Sequence, residues 1–274
     1  MTVWRRFRRD RLAVVALVVL VVLAAAAVLA PLVAPYDITE RVRSYRAGPS
    51  GDHLFGTDGI GRDVFSRVVF GARVSLTVGL LAAGLSSGLG LLLGGLAALV
   101  GGVVDNVIMR VVDVLLSIPY VVLALVAAAV VGRSHGSLIL VLGLTGWLPV
   151  ARLARSSFLA VRRRPYVEAA TALGLSPWRV AVRHVLPNAV PPVLVFATMS
   201  VGGFILAEAA LSFLGVGPQD PTPAWGLMVS QAQGELTTAA HLVLVPGASI
   251  FVTVLSFVLV GDGLRDALDP TLEP

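Results

Sequence analysis

The chain has 274 residues, of which 57% are hydrophobic and 14% charged, with a mean hydropathy of +0.89; a soluble domain carries about 25% charged residues, so water is not its main solvent. The net charge of +5 rests on 21 basic residues, all arginine, which excludes the lysine of a phosphate-binding P-loop and of Schiff-base catalysis. Cysteine is absent, which excludes disulfides, thiolate metal sites and nucleophilic thiols, and the arginines flank apolar spans, where they set membrane orientation rather than bind nucleic acid.

Leu12 to Ala34 is the first apolar stretch, long enough to cross roughly 30 Å of hydrocarbon as a helix. It follows WRRFRRDR, and it exceeds the about 7–15 residues of a signal-peptide core, which favours a retained anchor. Residues 36–73 then form a polar loop containing GTDGIGRD (56–63). Its glycines and acids imitate a cation loop without the ligand spacing of one, so a structural or docking element is expected.

The second span, Val74 to Val100, holds GLSSG (84–88) and GLLLG (90–94), small residues four apart that let another backbone approach closely. The third, Val107 to Val131, contains Pro119, which removes a backbone hydrogen bond midway and should bend the helix. Asp113 has Arg110 three residues earlier and is expected to pair with it. The fourth, Ser137 to Ala154, is weak, because Gly143, Gly146 and Pro149 interrupt it and it runs into Arg152 and Arg155.

Residues 151–187 read as a basic loop (Arg152, Arg155, Arg162, Arg163, Arg164, Arg179, Arg183) built of two short helices. Pro165 can open the first, with Tyr166, Ala169, Ala170 and Leu173 forming an apolar stripe; Gly174 stops it. Ser176 and Pro177 can start the second, striped by Trp178, Val182 and Val185, and Pro187 is expected to end it. Such a knob suits either a groove on another protein or a lipid headgroup layer.

The fifth span, Ala189 to Gly215, encloses Glu208, an expensive carboxylate in lipid that is either a pathway residue or a buried structural partner. The loop Pro218 to His241 carries Trp225, expected at the membrane interface, and Leu242 to Gly261 is the sixth span. The fold class expected is therefore all-α, polytopic, with about six transmembrane helices. The arginines of the N-terminal tail and of residues 151–187 argue for both termini and that loop inside, against the dissent of Arg41, Arg43, Arg46, Arg62, Arg67 and Arg73 in the first outer loop.

Glu168-Ala169-Ala170, then Gly174, then Leu186-Pro187, stand in the register of the signature loop of ABC importer permeases, and the chain resembles that family. His184 to Asn188 (H-x-L-P-N) resembles the dipeptide, oligopeptide and nickel branch, as do HLFGTDGIGRDVFSRVVFGARVSL (53–76), RVVDVLLSIP (110–119), AEAALSFLGVG (207–217), PTPAWGLM (221–228) and GDGLRDALDP (261–270). The likeness covers nearly the whole chain and is greatest to the second, C-type permease subunit.

The resemblance implies residues 1–70 as an N-terminal tail, first helix and outer loop, and 71–274 as the permease core with its coupling loop at 156–187. It implies a non-enzymatic subunit of the inner membrane, without cofactor or metal, working with a sister permease, two ABC ATPases and an extracytoplasmic substrate-binding protein. Glu168, Ala169, Ala170, Leu173, Gly174, Leu186 and Pro187 would couple to the ATPase, while Glu208 and Pro119 are pathway candidates. Peptide, nickel or opine cargo all fit. A secondary ion-coupled transporter would share the spans and an intramembrane carboxylate but would not need the basic knob. An intramembrane hydrolase would lack a G-x-S-x-G elbow here and would have to use Asp113 and Asp262.

Overall fold

The computed structural model describes residues 3–132 and 134–268. Twelve α-helices are numbered below, and no strand occurs among the described residues. A short α1 (Val3–Phe7) leads into α2 (Arg11–Val28), which Asp10 caps by accepting from the Leu12 and Ala13 amides at 2.9 and 3.2 Å. Ala13, Ala16, Leu20 and Ala27 form its buried face; Leu12, Val15, Val18 and Val22 point outward. The first apolar stretch does not run unbroken to Ala34. It breaks at Leu29, and Pro31, which lacks the amide that a continuing helix would use, sits in the first turn of α3 (Ala30–Val33).

After a folded loop, α4 (Val64–Val100) begins ten residues before the hydrophobic edge at Val74, because polar residues there are satisfied. Asp63 caps it, accepting from the Ser66 amide and hydroxyl at 2.7 and 2.8 Å. Arg73 donates to the Ala27 and Val28 carbonyls at the end of α2, groups left without helical partners. With 37 residues, α4 is about 55 Å long, more than the hydrocarbon layer requires.

The third span is not one bent helix but two. α5 (Gly102–Leu116) and α6 (Tyr120–Val131) meet at 94°. Pro119 stands at the N-cap of α6, and Ser117 closes α5 by donating to the Val114 carbonyl at 2.7 Å. α7 (His135–Arg162) is long and continuous despite Pro149. The arginines that weakened its outline are paired: Arg155 Nε and Nη2 donate to Asp105 at 2.5 and 2.6 Å, and Arg152 donates to Asp113 at 2.6 Å. Asp113 therefore pairs across to α7 and not with Arg110 on its own helix.

Between α8 (Pro165–Ala172) and the last long helices, the chain also departs from expectation. α9 (Pro177–Val180) passes through a wide π turn (Ala181–Val185) into α10 (Leu186–Phe213). Pro187 does not end the helix, because the Leu186 amide reaches back five residues to the Ala181 carbonyl, and this widened turn gives the proline ring room. The loop expected over 151–187 thus shrinks to the segment between Arg162 and Pro177. α11 (Trp225–Ala232) and α12 (His241–Leu268) complete the bundle.

Five helices are long and apolar enough to cross a membrane, and the α5–α6 pair makes a sixth span if taken together. The core lies where α4, α7 and α10 meet, around Val78, Leu138, Leu142, Ile205, Leu211 and Phe204. Small residues set how closely they approach: a Cβ at Gly90 or Gly94 would strike Val150 and Ala151 of α7. Gly84 and Gly88 have open space instead, so only the second small-residue pair packs within this chain.

Candidate functional site

Two features stand out at opposite ends of the bundle, and a third lies midway. At the end where α4 stops and α7 stops, Arg162 donates to the Ala98 carbonyl and locks the two helix ends together. From there Arg164 is extended, Pro165 takes the first helical position of α8, and Glu168 falls in its first turn, where a carboxylate suits the helix dipole. Glu168 is exposed and has no side-chain partner among the described residues. Gly174 (φ +78°) ends α8 in a Schellman turn: its amide donates to the Thr171 carbonyl at 3.0 Å, and the Leu175 amide to Ala170 at 3.3 Å. Ser176 stands at the N-cap of α9 but makes no side-chain capping bond.

The two expected stripes are split by the fold. Val167 and Ala170 turn inward and pack with Val180, Val185, Phe158 and Ala98. Ala169 and Tyr166 face out, with Leu173 at 81% and Trp178 at 76% exposure. The result is a fixed knob, anchored by one apolar face and presenting another. Of the other signature residues, Leu186 is half-buried and Pro187 exposed, both in the first turn of α10; Asn188 donates to the His184 carbonyl at 2.8 Å. Seven expected coupling residues are thus divided between the knob and the start of α10.

At the opposite end, residues 34–63 fold over the α10–α11 connection. Gly56 and Gly61 have positive φ, and a Cβ on either would strike the Ala47 or Val42 carbonyl. Asp58 accepts from the Ile60 and Arg62 amides and from Arg62 Nε at 2.6 Å, so GTDGIGRD is a self-closed turn. Arg62 and the fully buried Arg67 both donate to Asp220, at 3.0 and 3.3 Å, and Arg67 also to the Ile38 carbonyl. Burial alone would raise the Asp220 carboxyl, but the Arg62 hydrogen bond, the charges of Arg62 and Arg67 and the Gln231 bond hold it below the usual range. Arg46 donates to Glu235 at 2.8 Å and, with Thr238, lowers that carboxyl too. Trp225 is not an interface anchor. It is 0% exposed, lies against Gly71 and donates to the Val68 carbonyl at 2.9 Å. The alternation of apolar and polar residues around it gave no sign that α11 folds back into the bundle.

Midway along α7 and α10, the α5–α6 elbow opens a cavity of about 400 Å³. Pro119 lines it, together with Tyr120, Thr145, Ser200, Gly203 and Phe204. Glu208 does not. It is 0% exposed between α4 and α10, where Ser75 and Ser212 donate to its two oxygens at 2.9 and 2.7 Å.

Five or six helical spans long and apolar enough to cross a membrane, with a knob at one end and a folded cap at the other, define a polytopic membrane protein. Residues 90–274 match the family described as binding-protein-dependent transport system inner membrane component, and residues 1–49 match the N-terminal transmembrane domain of oligopeptide transport permease C. The chain belongs to this family of ABC transporter permeases. It is 41% identical over 273 residues to the glutathione transport system permease protein GsiD of Escherichia coli O157:H7, covering 98% of this chain and 90% of that protein. The Shigella dysenteriae GsiD is 42% identical over the same length and shares.

Among solved structures, the fold matches an inward-facing MetNI methionine ABC transporter (TM-score 0.62, 19% identity, 74% of this chain and 97% of that one). It also matches an amino acid ABC transporter crystallised with histidines (TM-score 0.57, 17% identity, 72% and 92%). The protein is thus a permease subunit of the inner membrane, and in its family ATP hydrolysis resides in separate subunits. Family membership implies a sister permease, ATPase subunits and a substrate-binding protein as partners, and it leaves nothing in favour of an ion-coupled carrier or a hydrolase.

Proposed function

We propose that this chain and a sister permease form the pathway of an ATP-driven importer for peptide-like solutes, with both termini and the α8–α9 knob on the cytoplasmic side. Two ATPase subunits close on ATP as rigid bodies, and a knob docked in one of them has to follow. The knob is continuous with α7 on one side and with α9, the π turn and α10 on the other, so its displacement tilts both spans. The observation that carries this reading is the exposed apolar set Ala169, Leu173 and Trp178 held on a buried Val167–Ala170 base. An apolar surface of that kind marks an interaction site. Ala169 is small and permits close approach, Gly174 supplies the turn, and Leu186 and Pro187 begin the span that is driven. Glu168 remains available to a basic group on the partner. Peptide-like cargo is supported by the likeness to glutathione permeases and by the oligopeptide-permease match.

The absence of native cysteine makes the test direct. Single cysteines at Ala169 or Leu173 should crosslink to the ATPase in the assembled complex and should resist a membrane-impermeant maleimide in intact cells, whereas a cysteine at Tyr45 in the cap should be labelled. Labelling of Leu173 from outside, or crosslinks that never reach the ATPase, would overturn the assignment.

A further inference from the structure

The cavity at the α5–α6 elbow is walled on three sides by spans and lies at mid-depth of α7 and α10. Its volume of about 400 Å³ falls within the roughly 300–1,000 Å³ of small-molecule sites. It opens where Leu116 and Ile118 are exposed at the elbow. Among the described residues, no carboxylate, arginine or histidine lines it. Its polar groups are hydroxyls, and they are not equivalent. Thr145 Oγ1 donates to the Val141 carbonyl and Ser200 Oγ to the Phe196 carbonyl, each at 2.7 Å, so their protons are used within their helices and only lone pairs face inward. Among the described residues, the buried Tyr120 hydroxyl lies beside Thr145 without a well-aligned hydrogen bond, and the Ser86 hydroxyl, beside Gly146 of the cavity wall, has none either. A buried unpaired hydroxyl in an apolar surround is costly and calls for an explanation. On the cavity wall itself, a poorly paired Tyr120 donor beside the lone pairs of Thr145 and Ser200 suits an amide, which offers one carbonyl and one N–H.

Resting on the permease reading above, we infer that the elbow cavity is this chain's part of the cargo pathway and that the Tyr120 hydroxyl selects for amide-bearing, peptide-like solutes over bare cations. Tyr120 is held for this by Pro119, which sets the start of α6, and by its ring edge on Phe204, centroids 6.5 Å apart. A divalent metal ion would find no ionised or imidazole ligand on these walls, whereas a peptide group exchanges its water for hydroxyls of matching polarity.

The test uses the complete complex, with sister permease, ATPases and binding protein, in proteoliposomes. The probes are glutathione, uncharged tripeptides and Ni²⁺. Tyr120→Phe keeps the ring and removes only the donor; it should raise KM for the peptides about five- to tenfold while changing the maximal rate less than twofold. Gly203 lines the cavity, and a Cβ there meets nothing within 4 Å, so Gly203→Leu should fill the space without disturbing the helix and should abolish peptide uptake in a complex that assembles normally. If wild type imports the peptides and both variants do so with unaltered KM and rate, the cavity assignment is overturned while the permease reading stands. Import of Ni²⁺ with none of the peptides overturns both the selectivity and the peptide reading.

Discussion

Gly174 and Trp225 show what a single residue discloses before its neighbours are known. The glycine's role is local: an eight-residue helix must stop, the residue after its Leu173 cap must turn left-handed, and a Schellman pair of hydrogen bonds forms. Nothing lies within 4 Å of where its Cβ would be, so Gly174→Ala meets only the backbone cost of φ +78°, about 1 kcal/mol. The variant should reach the membrane in normal amount and lose ATP-driven uptake several-fold, and Gly174→Asn, which tolerates this conformation better, should retain more. Equal uptake by all three would show that the turn does not transmit motion. The tryptophan, by contrast, is placed by contacts with residues more than a hundred and fifty positions away. Aromatic character in a loop beside a span suggested a lipid interface, and only the folding of α11 onto Gly71 and Ala209 makes it a core residue.

Among elements, hydrophobic runs located the spans, but their ends were set by polar contacts that a run of hydropathy does not register. α4 starts early because Arg67 and Arg73 find carbonyls and carboxylates; α7 ends late because Arg152 and Arg155 find Asp113 and Asp105. Pro119 was legible as a disturbance, though its 94° consequence depends on α7 and α10 being where they are. Pro187 misled because the π turn before it is invisible in composition. The Asp105–Arg155 fork deserves a direct measurement, since it is two-pronged and partly buried, with Asp105 at 17% side-chain exposure. Arg155→Ala should lower stability in detergent by about 1 kcal/mol, read from denaturant or thermal unfolding. Exchanging the two residues should recover at least half of that loss. Full stability of the single variant would mean that α5 is held by Val112, Leu148 and Ala151 and by the Arg152–Asp113 pair.

At the scale of the whole molecule, the cap and the knob are built by opposite means. The knob is a short apolar insertion whose signature lies within about twenty residues of sequence, which is why its site was readable. The cap is an electrostatic clasp between segments far apart in the chain, Arg46 with Glu235 and Arg62 and Arg67 with Asp220, and no local pattern announces it. Its pH behaviour follows from the carboxyls. Both Asp220 and Glu235 are lowered in the fold, so each favours the closed cap at all pH values above the usual carboxylate range of about 4. That contribution fades only as pH falls below this range, through the depressed folded values, when protonation removes the charge that the arginines hold. Because the Asp220 side chain is 45% exposed, screening keeps the effect modest. Acrylamide quenching of a fluorophore attached beforehand to a cysteine at the half-buried Ala47 should therefore stay flat from pH 7 to about 5 and rise below about 4. Asp220→Asn should show the raised accessibility at neutral pH and lose most of the acid dependence, leaving what Glu235 contributes. An unchanged profile in that variant would place the closure of the cap in the turn at Gly56 and Gly61 instead of in the ion pairs.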